Sequence, residues 1–436
     1  MKILEIAQNI KKDFDEHELC RLQANQVHGL IGKLEKKDVT IAVIGQFKRG
    51  KTTMVNSILG KKILPTGIVP ITAAVTRIEY GEGENGDTAR VYFMNGLSEE
   101  VPVLNLHEYI SEQENHDNER GVAEVELHTE SDFLKDGLIL VDTPGVGSVH
   151  ENNSKSAYDF ARESDGVIFM LSVDSPINQI EVDFLKSVRK FAGKFYFTVN
   201  KIDTVDQEDL AEYLEYCTRL ICDIMGIDPG DNASDPDEDA KAIRLIPISA
   251  KKNTGIDTLT DMIRNDMLHR APEIMNQSVG LKLLEILRNT GAQISSYREV
   301  LKMAPNVFNR RFAEMSDMLA LQREKLDEIA GTAGSGKKYL RARLNEEKAY
   351  LSSQVRELFG IEYYYYVDRN DAAEFLTAEE YAAELAQTYD ELEQTLNAIF
   401  MYKEENAYTV ARRIEDLNFL MQNMRKYTRQ IENQLK

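Results

Sequence analysis

The hydrophobic positions change their period along the chain. Before residue 38 the apolar residues Ile3, Ile6, Ile10, Leu19, Leu22, Leu30 and Leu34 follow a helical spacing, which predicts one helix or two. From Val39 to about Arg270 the runs TIAVIG, AVTRIEY, ARVYFM, AEVELH, GLILVDTPG, GVIFML, KFYFTVNKID and IRLIPIS alternate with helical stretches. Strands alternating with helices predict an α/β domain with a mostly parallel sheet. Ligands of such sheets bind beyond the carboxyl ends of the strands. After Pro272 the strand signal stops. Phe308, Phe312, Met315, Leu319, Leu326 and Ile329 repeat every three or four residues, as do Leu340, Leu344, Leu351, Val355 and Leu358. A further seam carries Tyr381, Leu385, Leu392, Leu396 and Ile399, then Val410, Ile414, Leu417, Met421, Met424, Ile431 and Leu435. These seams predict an elongated α-helical bundle or stalk. Breaks are expected at Pro305, Gly331 to Gly336 and Gly360 to Asp371. A last helix unbroken from Glu379 to Leu435 would be about 85 Å long. The expected organisation is a helical segment over 1–38 joining the stalk beside its C-terminal helix, an α/β domain over 39–270 and a helical bundle over 271–436.

Composition narrows the class. At 436 residues and 42% hydrophobic the chain can fill a sizeable core, yet runs such as LILV and VIFML are far too short to span a bilayer. The first stretch, MKILEIAQNIKKDFDEHE, turns charged at Glu5 and reads as a helix start rather than a secretory signal. Cys20, Cys217 and Cys222 form no CxxC pair, which argues against a disulfide framework or a zinc site and for a cytoplasmic protein. The net charge of −21 argues against a nucleic-acid partner. From Ala271 onward 22 Lys and Arg face 26 Asp and Glu, net −4, against −17 before it. The second part would therefore be less repelled by an anionic membrane or partner.

Candidate chemistry begins with GQFKRGKTT, where Gly45, Gly50, Lys51 and Thr52 have the spacing of a phosphate-binding loop. Gly45, Gln46, Lys48, Arg49, Gly50, Lys51, Thr52 and Thr53 are the expected phosphate contacts, with Lys51 reaching the β- and γ-phosphates and the Thr52 hydroxyl on Mg²⁺. A strand before the loop and a helix after it put a helix N-terminus under the phosphates. GTAGSGKK, from Gly331, nearly repeats the spacing, but it ends in Lys338 and follows a helix, so it reads as a helix cap and turn. In LVDTPGVGS, Asp142 ends an apolar strand and is expected to hold Mg²⁺, with the Gly145 amide bonding the γ-phosphate. TVNKID supplies Asp203, whose carboxylate can accept from both N1 and N2 of guanine, a pair that adenine does not offer. Asn200 is expected to tie this loop to the phosphate loop and Lys201 to cover the base, with Ser249, Ala250 and Lys251 of PISAKK near the guanine oxygen. The ligands implied are GTP, GDP and Mg²⁺.

The phosphate loop, the stretch GKKILPTGIVPITAAVTRIEYG, DTPGVGS, NKID and the helical second half together resemble a bacterial dynamin-like GTPase. The motif-rich part of the resemblance covers about 38–255, and the helical part matches in layout only. The resemblance implies that Thr72, or less strongly Thr76, is the switch residue that orders around Mg²⁺ and positions the attacking water. Val146 follows Gly145 where Ras-like proteins carry a Gln, so hydrolysis must be organised otherwise. In the family, two GTPase domains dimerise across their nucleotides and a cation at the phosphate loop offsets charge developing between the β- and γ-phosphates. Lys48 stands at that position, which implies an internal charge compensator, with Arg49 a supporting or dimer-contact residue. The alternative is that both are solvated surface charges.

The resemblance implies a GTP hydrolase whose domains dimerise to move a helical stalk in membrane remodelling or assembly. Its partners would be a second copy or a second dynamin-like protein, with a lipid surface at the inner face of a membrane. The competing expectation is a slow GTP-dependent switch whose helical arm docks one protein. The cluster Tyr363 to Tyr366 suits a membrane or partner surface, or an ordinary packed turn. DPGDNASDPDEDA lacks the Gly and Glu of a calcium loop and reads as a disordered surface loop.

Overall fold

The computed structural model describes residues 2–66, 74–81, 87–93, 97–111, 113–115, 118–135, 137–145, 160–227, 243–330, 338–359, 375–403 and 407–435. By contact the chain divides into two compact units: Gly32–Lys282, and Met1–Ile31 with Leu283–Lys436. The Tyr363 to Tyr366 cluster, the Gly331 to Gly336 turn and the acidic stretch after Ile227 lie outside the described residues.

The first unit is built on a nine-stranded sheet. Its strands are β1 (Val39–Ile44), β2 (Val75–Tyr80), β3 (Thr88–Phe93), β4 (Ser98–Val101), β5 (Val122–Thr129), β6 (Leu138–Asp142), β7 (Gly166–Ser172), β8 (Lys194–Asn200) and β9 (Leu245–Pro247). Their order is β4-β3-β5-β2-β6-β1-β7-β8-β9. The run from β6 through β9 is parallel, while β2 meets β6 and β3 meets both β4 and β5 antiparallel. β1, β6 and β7 are buried at every position, as parallel strands covered on both faces must be. β5 alternates instead: Val122, Val125 and Leu127 are buried while Glu124, Glu126 and His128 are half-buried. One face of the sheet packs Ala42, Ile44, Val141, Phe169, Leu171 and Val199 against Phe184 and Leu185 of the helix Gln179–Val188 and Ile221 of the helix Gln207–Met225. Because these central strands run the same way, β1, β6, β8 and β9 deliver their following loops to one end of the sheet.

The second unit is helical. α1 (Ile3–Asp15) buries Ile3, Ile6, Ala7, Ile10 and Phe14, and α2 (Arg21–Lys36) follows it. At the far end of the sequence the helix Ala407–Gln434 packs on α1, where Asp13 Oδ2 accepts from Asn423 Nδ2 at 2.9 Å and Tyr427 Oη at 2.8 Å. The helices Pro305–Ala330, Arg341–Phe359 and Ala378–Lys403 share a core that includes Phe308, Met315, Leu344, Val355, Tyr381 and Leu392. Over the span from Glu379 to Leu435 the described helices are Ala378–Lys403 and Ala407–Gln434, and 404–406 lie outside the described residues, as does the question of an unbroken helix. The expectation of helix alone after Pro272 is corrected by β10 (Lys338–Leu340) and β11 (Phe375–Thr377), an antiparallel pair too short to leave an alternating signal. Among the described residues, no helix is long and apolar enough to cross a membrane.

Both limits of the α/β unit fall inside helices: 31/32 within α2, and 282/283 within the helix Ile256–Lys302, which contains Pro272. The sequence boundaries near 38 and 270 therefore lie within this unit, and two lysines show why the helix ends belong to it. Lys33 Nζ contacts Asp165 Oδ2 at 2.9 Å and donates to Glu163 O at 2.6 Å. Lys282 Nζ donates to the carbonyls of Glu163 and Ser164, each at 2.9 Å, and to Ser278 Oγ at 2.8 Å. Asp165 also accepts from the Thr40 amide, so two ammonium groups crowd one buried carboxylate at the edge of β1.

Burial, then the neighbouring Lys33, push the Lys282 ammonium down to about 7. The folded value lies below the unfolded one, so between pH ~7 and ~10.5 the unfolded chain holds the extra proton and stability rises with pH. Lys282→Met removes this contribution. We expect the wild-type unfolding free energy to gain on the variant's by up to ~1.4 kcal/mol per pH unit as pH rises from about 7 to 9, read by urea unfolding. A difference that stays flat over this range contradicts the assignment.

Candidate functional site

The loop after β1 begins the site. It turns at Gly45–Gly50 into α3 (Lys51–Leu59), whose first amides have no partners within the helix and face the loop. Gly50 has φ +96°, and a Cβ there would lie 2.4 Å from Asn200 Nδ2, so the position accepts only glycine. Lys51 is 7% exposed and curls over its own loop, donating to Gly45 O at 2.9 Å and Gln46 O at 3.3 Å. Burial pushes its ammonium down to about 8, against the opposing pull of Asp142 and Glu181. Thr53 is half-buried one residue further along α3 than Thr52.

Asp142 ends β6 beside this loop, in register with Val43 of β1. Thr52 Oγ1 donates to Asp142 Oδ2 at 2.7 Å, while the buried Oδ1 has no hydrogen-bond partner. Burial pushes the Asp142 carboxyl up to about 6, although the Thr52 hydroxyl and Lys51 act to lower it. An orphaned carboxylate oxygen beside a threonine hydroxyl is a hard-oxygen donor set that fits Mg²⁺. Gly145 lies against the phosphate loop, since a Cβ on it would come 2.7 Å from Phe47 Cα. Thr143 Oγ1 donates to Val43 O at 2.7 Å and fixes the intervening turn.

The ends of β8 and β9 supply the other side. Asn200 is 3% exposed, donates from Nδ2 to Arg49 O at 2.8 Å and accepts at Oδ1 from the Ala250 amide at 2.9 Å. One amide thus joins the phosphate loop to both loops at the candidate base site. Lys201, at φ +65°, extends to Asp174 Oδ2 at 2.6 Å. Asp203 Oδ1 accepts from Ser249 Oγ at 2.7 Å, and that bond holds its carboxyl below the usual range. Lys251 is exposed next to Ala250, whose carbonyl accepts from Ser57 Oγ of α3 at 2.8 Å.

The two extra cations of the loop part company. Lys48 is exposed at φ +66°, with Nζ 5.3 Å from the centre of the Phe47 ring. Arg49 is 1% exposed, which corrects both the dimer-contact and the solvated expectation for it. Its guanidinium turns inward to Glu181, Ser172, Ser175 and Pro176. Sequence reasoning missed Glu181. The spacing Asn178 to Glu181 signals a capping box, which the structure contains, but it says nothing of a partner on the phosphate loop. Thr72 and Val146 lie outside the described residues. Thr76 is fully buried in β2 opposite Asp142, in a hydrogen-bonded strand rather than a segment that orders on binding, which corrects its candidacy as a switch.

The chain matches the Dynamin family over residues 41–203, a span that runs from β1 to Asp203. An uncharacterised protein of Caldicellulosiruptor sp. (strain Rt8B.4) is 39% identical over 192 residues, covering 44% of this chain and 47% of that one. Dynamin-like protein 2 of Campylobacter jejuni is 31% identical over 198 residues, covering 45% of this chain and 31% of its own length. The match thus spans less than half the length of each of these relatives. A chain of a solved oligomerised bacterial dynamin pair superposes with TM-score 0.49 and 14% identity over 99% of this chain and 90% of that one. The matched span, which holds the phosphate loop, Asp142 and the Asn200–Asp203 turn, is similar to the Dynamin family and to bacterial dynamin-like proteins.

Proposed function

We propose that this chain binds GTP with Mg²⁺ and hydrolyses it to GDP and phosphate, that a second GTPase unit completes the site, and that the helical unit carries the resulting movement to a membrane or assembly. The observation that carries the reading is the Asn200 amide, which brings the phosphate loop, Asp203 and the Ser249–Ala250 turn to one place. Asp203 and Ser249 then face the guanine edge, and Lys201 covers the base. Lys51 and the first amides of α3 hold the β- and γ-phosphates. Mg²⁺ held by Thr52 and Asp142, with Thr72 joining from the switch segment, would neutralise charge on the phosphates. The Gly145 amide binds the γ-phosphate and senses its loss.

Lys48 is the charge compensator in this reading. Its exposed side chain on a left-handed residue can swing over the phosphates, where a cation stabilises charge that develops only in the transition state. The membrane and the dynamin-like partner are inferred from the family alone.

GTP turnover per molecule should rise with protein concentration, because the site is completed in trans; a low rate independent of concentration would instead favour the solitary switch. Lys48→Ala should lower turnover at saturating GTP by at least about tenfold while GDP affinity stays within about threefold. Equal turnover would remove Lys48 from the chemistry. Asp203→Asn replaces two acceptors by one acceptor and one donor. Its GTP affinity should fall by about a hundredfold or more, and xanthosine triphosphate, which carries an oxygen where guanine has its amine, should gain. Unchanged preference in a competition titration would show that Asp203 does not read the base.

A further inference from the structure

We propose that Arg49 and Glu181 form an internal strut that holds the phosphate loop in its nucleotide-ready shape, and are positioning residues for GTP and GDP alike. The inference rests on the site being a GTP site and deepens that reading. Arg49 is the largest fully buried side chain among the described residues, an unusual place for a guanidinium. Its Nε donates to Glu181 Oε1 at 3.1 Å and its Nη2 to Oε2 at 2.7 Å, a bidentate pair. Nη2 also donates to Pro176 O at 3.1 Å, and Nη1 to Ser175 O at 2.6 Å, Ser172 Oγ at 3.0 Å and Ser172 O at 3.2 Å. A guanidinium has five N–H donors, and six protein acceptors meet them here. No donor is left over for a phosphate.

The anchor itself is rigid. Glu181 lies in the first turn of its helix, where the helix dipole favours a carboxylate. Its Oε2 accepts from the Asn178 amide at 3.2 Å, and its own amide donates to Asn178 Oδ1 at 3.0 Å. Tyr213 Oη donates to the carbonyls of Ser172 and Ser175, the same two that hold Nη1. On the main-chain side, Asn200 Nδ2 holds the Arg49 carbonyl at 2.8 Å. Arg49 is therefore pinned at both ends, immediately before Gly50, whose left-handed backbone suits glycine.

A loop that aims several amides and a buried ammonium at one point repels itself until an anion arrives. Holding it open beforehand lowers the cost of binding. The Arg49 side chain spends its donors on Glu181, Ser172, Ser175 and Pro176 rather than on a phosphate, so the strut acts through the shape of the loop, which substrate and product share. Such uniform binding changes affinity and leaves the chemical step nearly alone.

The test uses the full chain, with a fluorescent GDP analogue and a non-hydrolysable GTP analogue as probes, in wild type and the double variant Arg49→Met/Glu181→Leu. An apolar pair of similar volume is a tolerated replacement for a buried ion pair, so the variant should melt close to wild type without nucleotide. Both dissociation constants should rise about tenfold or more, by the same factor within about threefold and through faster release, while turnover at saturating GTP changes far less. Unchanged affinities in the folded variant overturn the strut. So does a loss confined to the GTP analogue, which would make Arg49 a γ-phosphate sensor. If the double variant does not fold, Arg49→Lys keeps the charge but loses the fork, and the same two-ligand loss is expected of it; wild-type affinity there overturns the proposal. A wild-type chain that binds neither probe overturns the GTP reading itself, and the strut with it.

Discussion

The site is organised around one buried side-chain amide. Asn200 gives its donor to the Arg49 carbonyl and its acceptor to the Ala250 amide, so three loops that are far apart in sequence share a single hydrogen-bonded centre. The close approach explains Gly50 as well, because a side chain there would collide with the Asn200 nitrogen. Parallel strands make the arrangement reachable: Ile44 pairs with Phe169, Ser172 with Asn200 and Val199 with Pro247, which sets the loop origins side by side. A buried amide bonded at both its nitrogen and its oxygen specifies one geometry, since any other leaves these polar groups unpaired.

The electrostatics of the site are unfinished business for the protein alone. Burial lowers Lys51 and raises Asp142, so each charge is held against the cost of leaving water. An anion above the loop would push Lys51 back up, and a cation beside Asp142 would push that carboxyl back down. Both shifts come first from burial, the cost that a charge of opposite sign beside each group would offset. Arg49 stands apart from this pair, because the protein itself satisfies its charge through Glu181.

Much of this was legible in the sequence because the relevant signals are local. GQFKRGKTT, the apolar run ending at Asp142 and NKID each announce a strand and the loop after it within about ten residues, and β1, β6 and β7 read as continuous apolar stretches. What escaped was long-range. Arg49 and Glu181 stand 132 residues apart, and no local signal ties the loop cation to its partner. β10 and β11 have three residues each, too few for a period. Pro272 sits within a helix that the loss of strand signal had made look like a border, and the ends of the α/β unit are set by Lys33 and Lys282 meeting Asp165, contacts that carry no motif.

The pairing of α1 with the helix Ala407–Gln434 has a consequence for the order in which the molecule can be made. Asp13 and Asn423 are 410 residues apart. At ~5–20 residues per second of synthesis, α1 waits ~20–80 s for the helix that covers it. Through that interval the stripe Ile6, Ile10 and Phe14 has no final partner, while the α/β unit between them can already close on its own core. During synthesis α1 therefore cannot reach its final packing until the helix Ala407–Gln434 has been made.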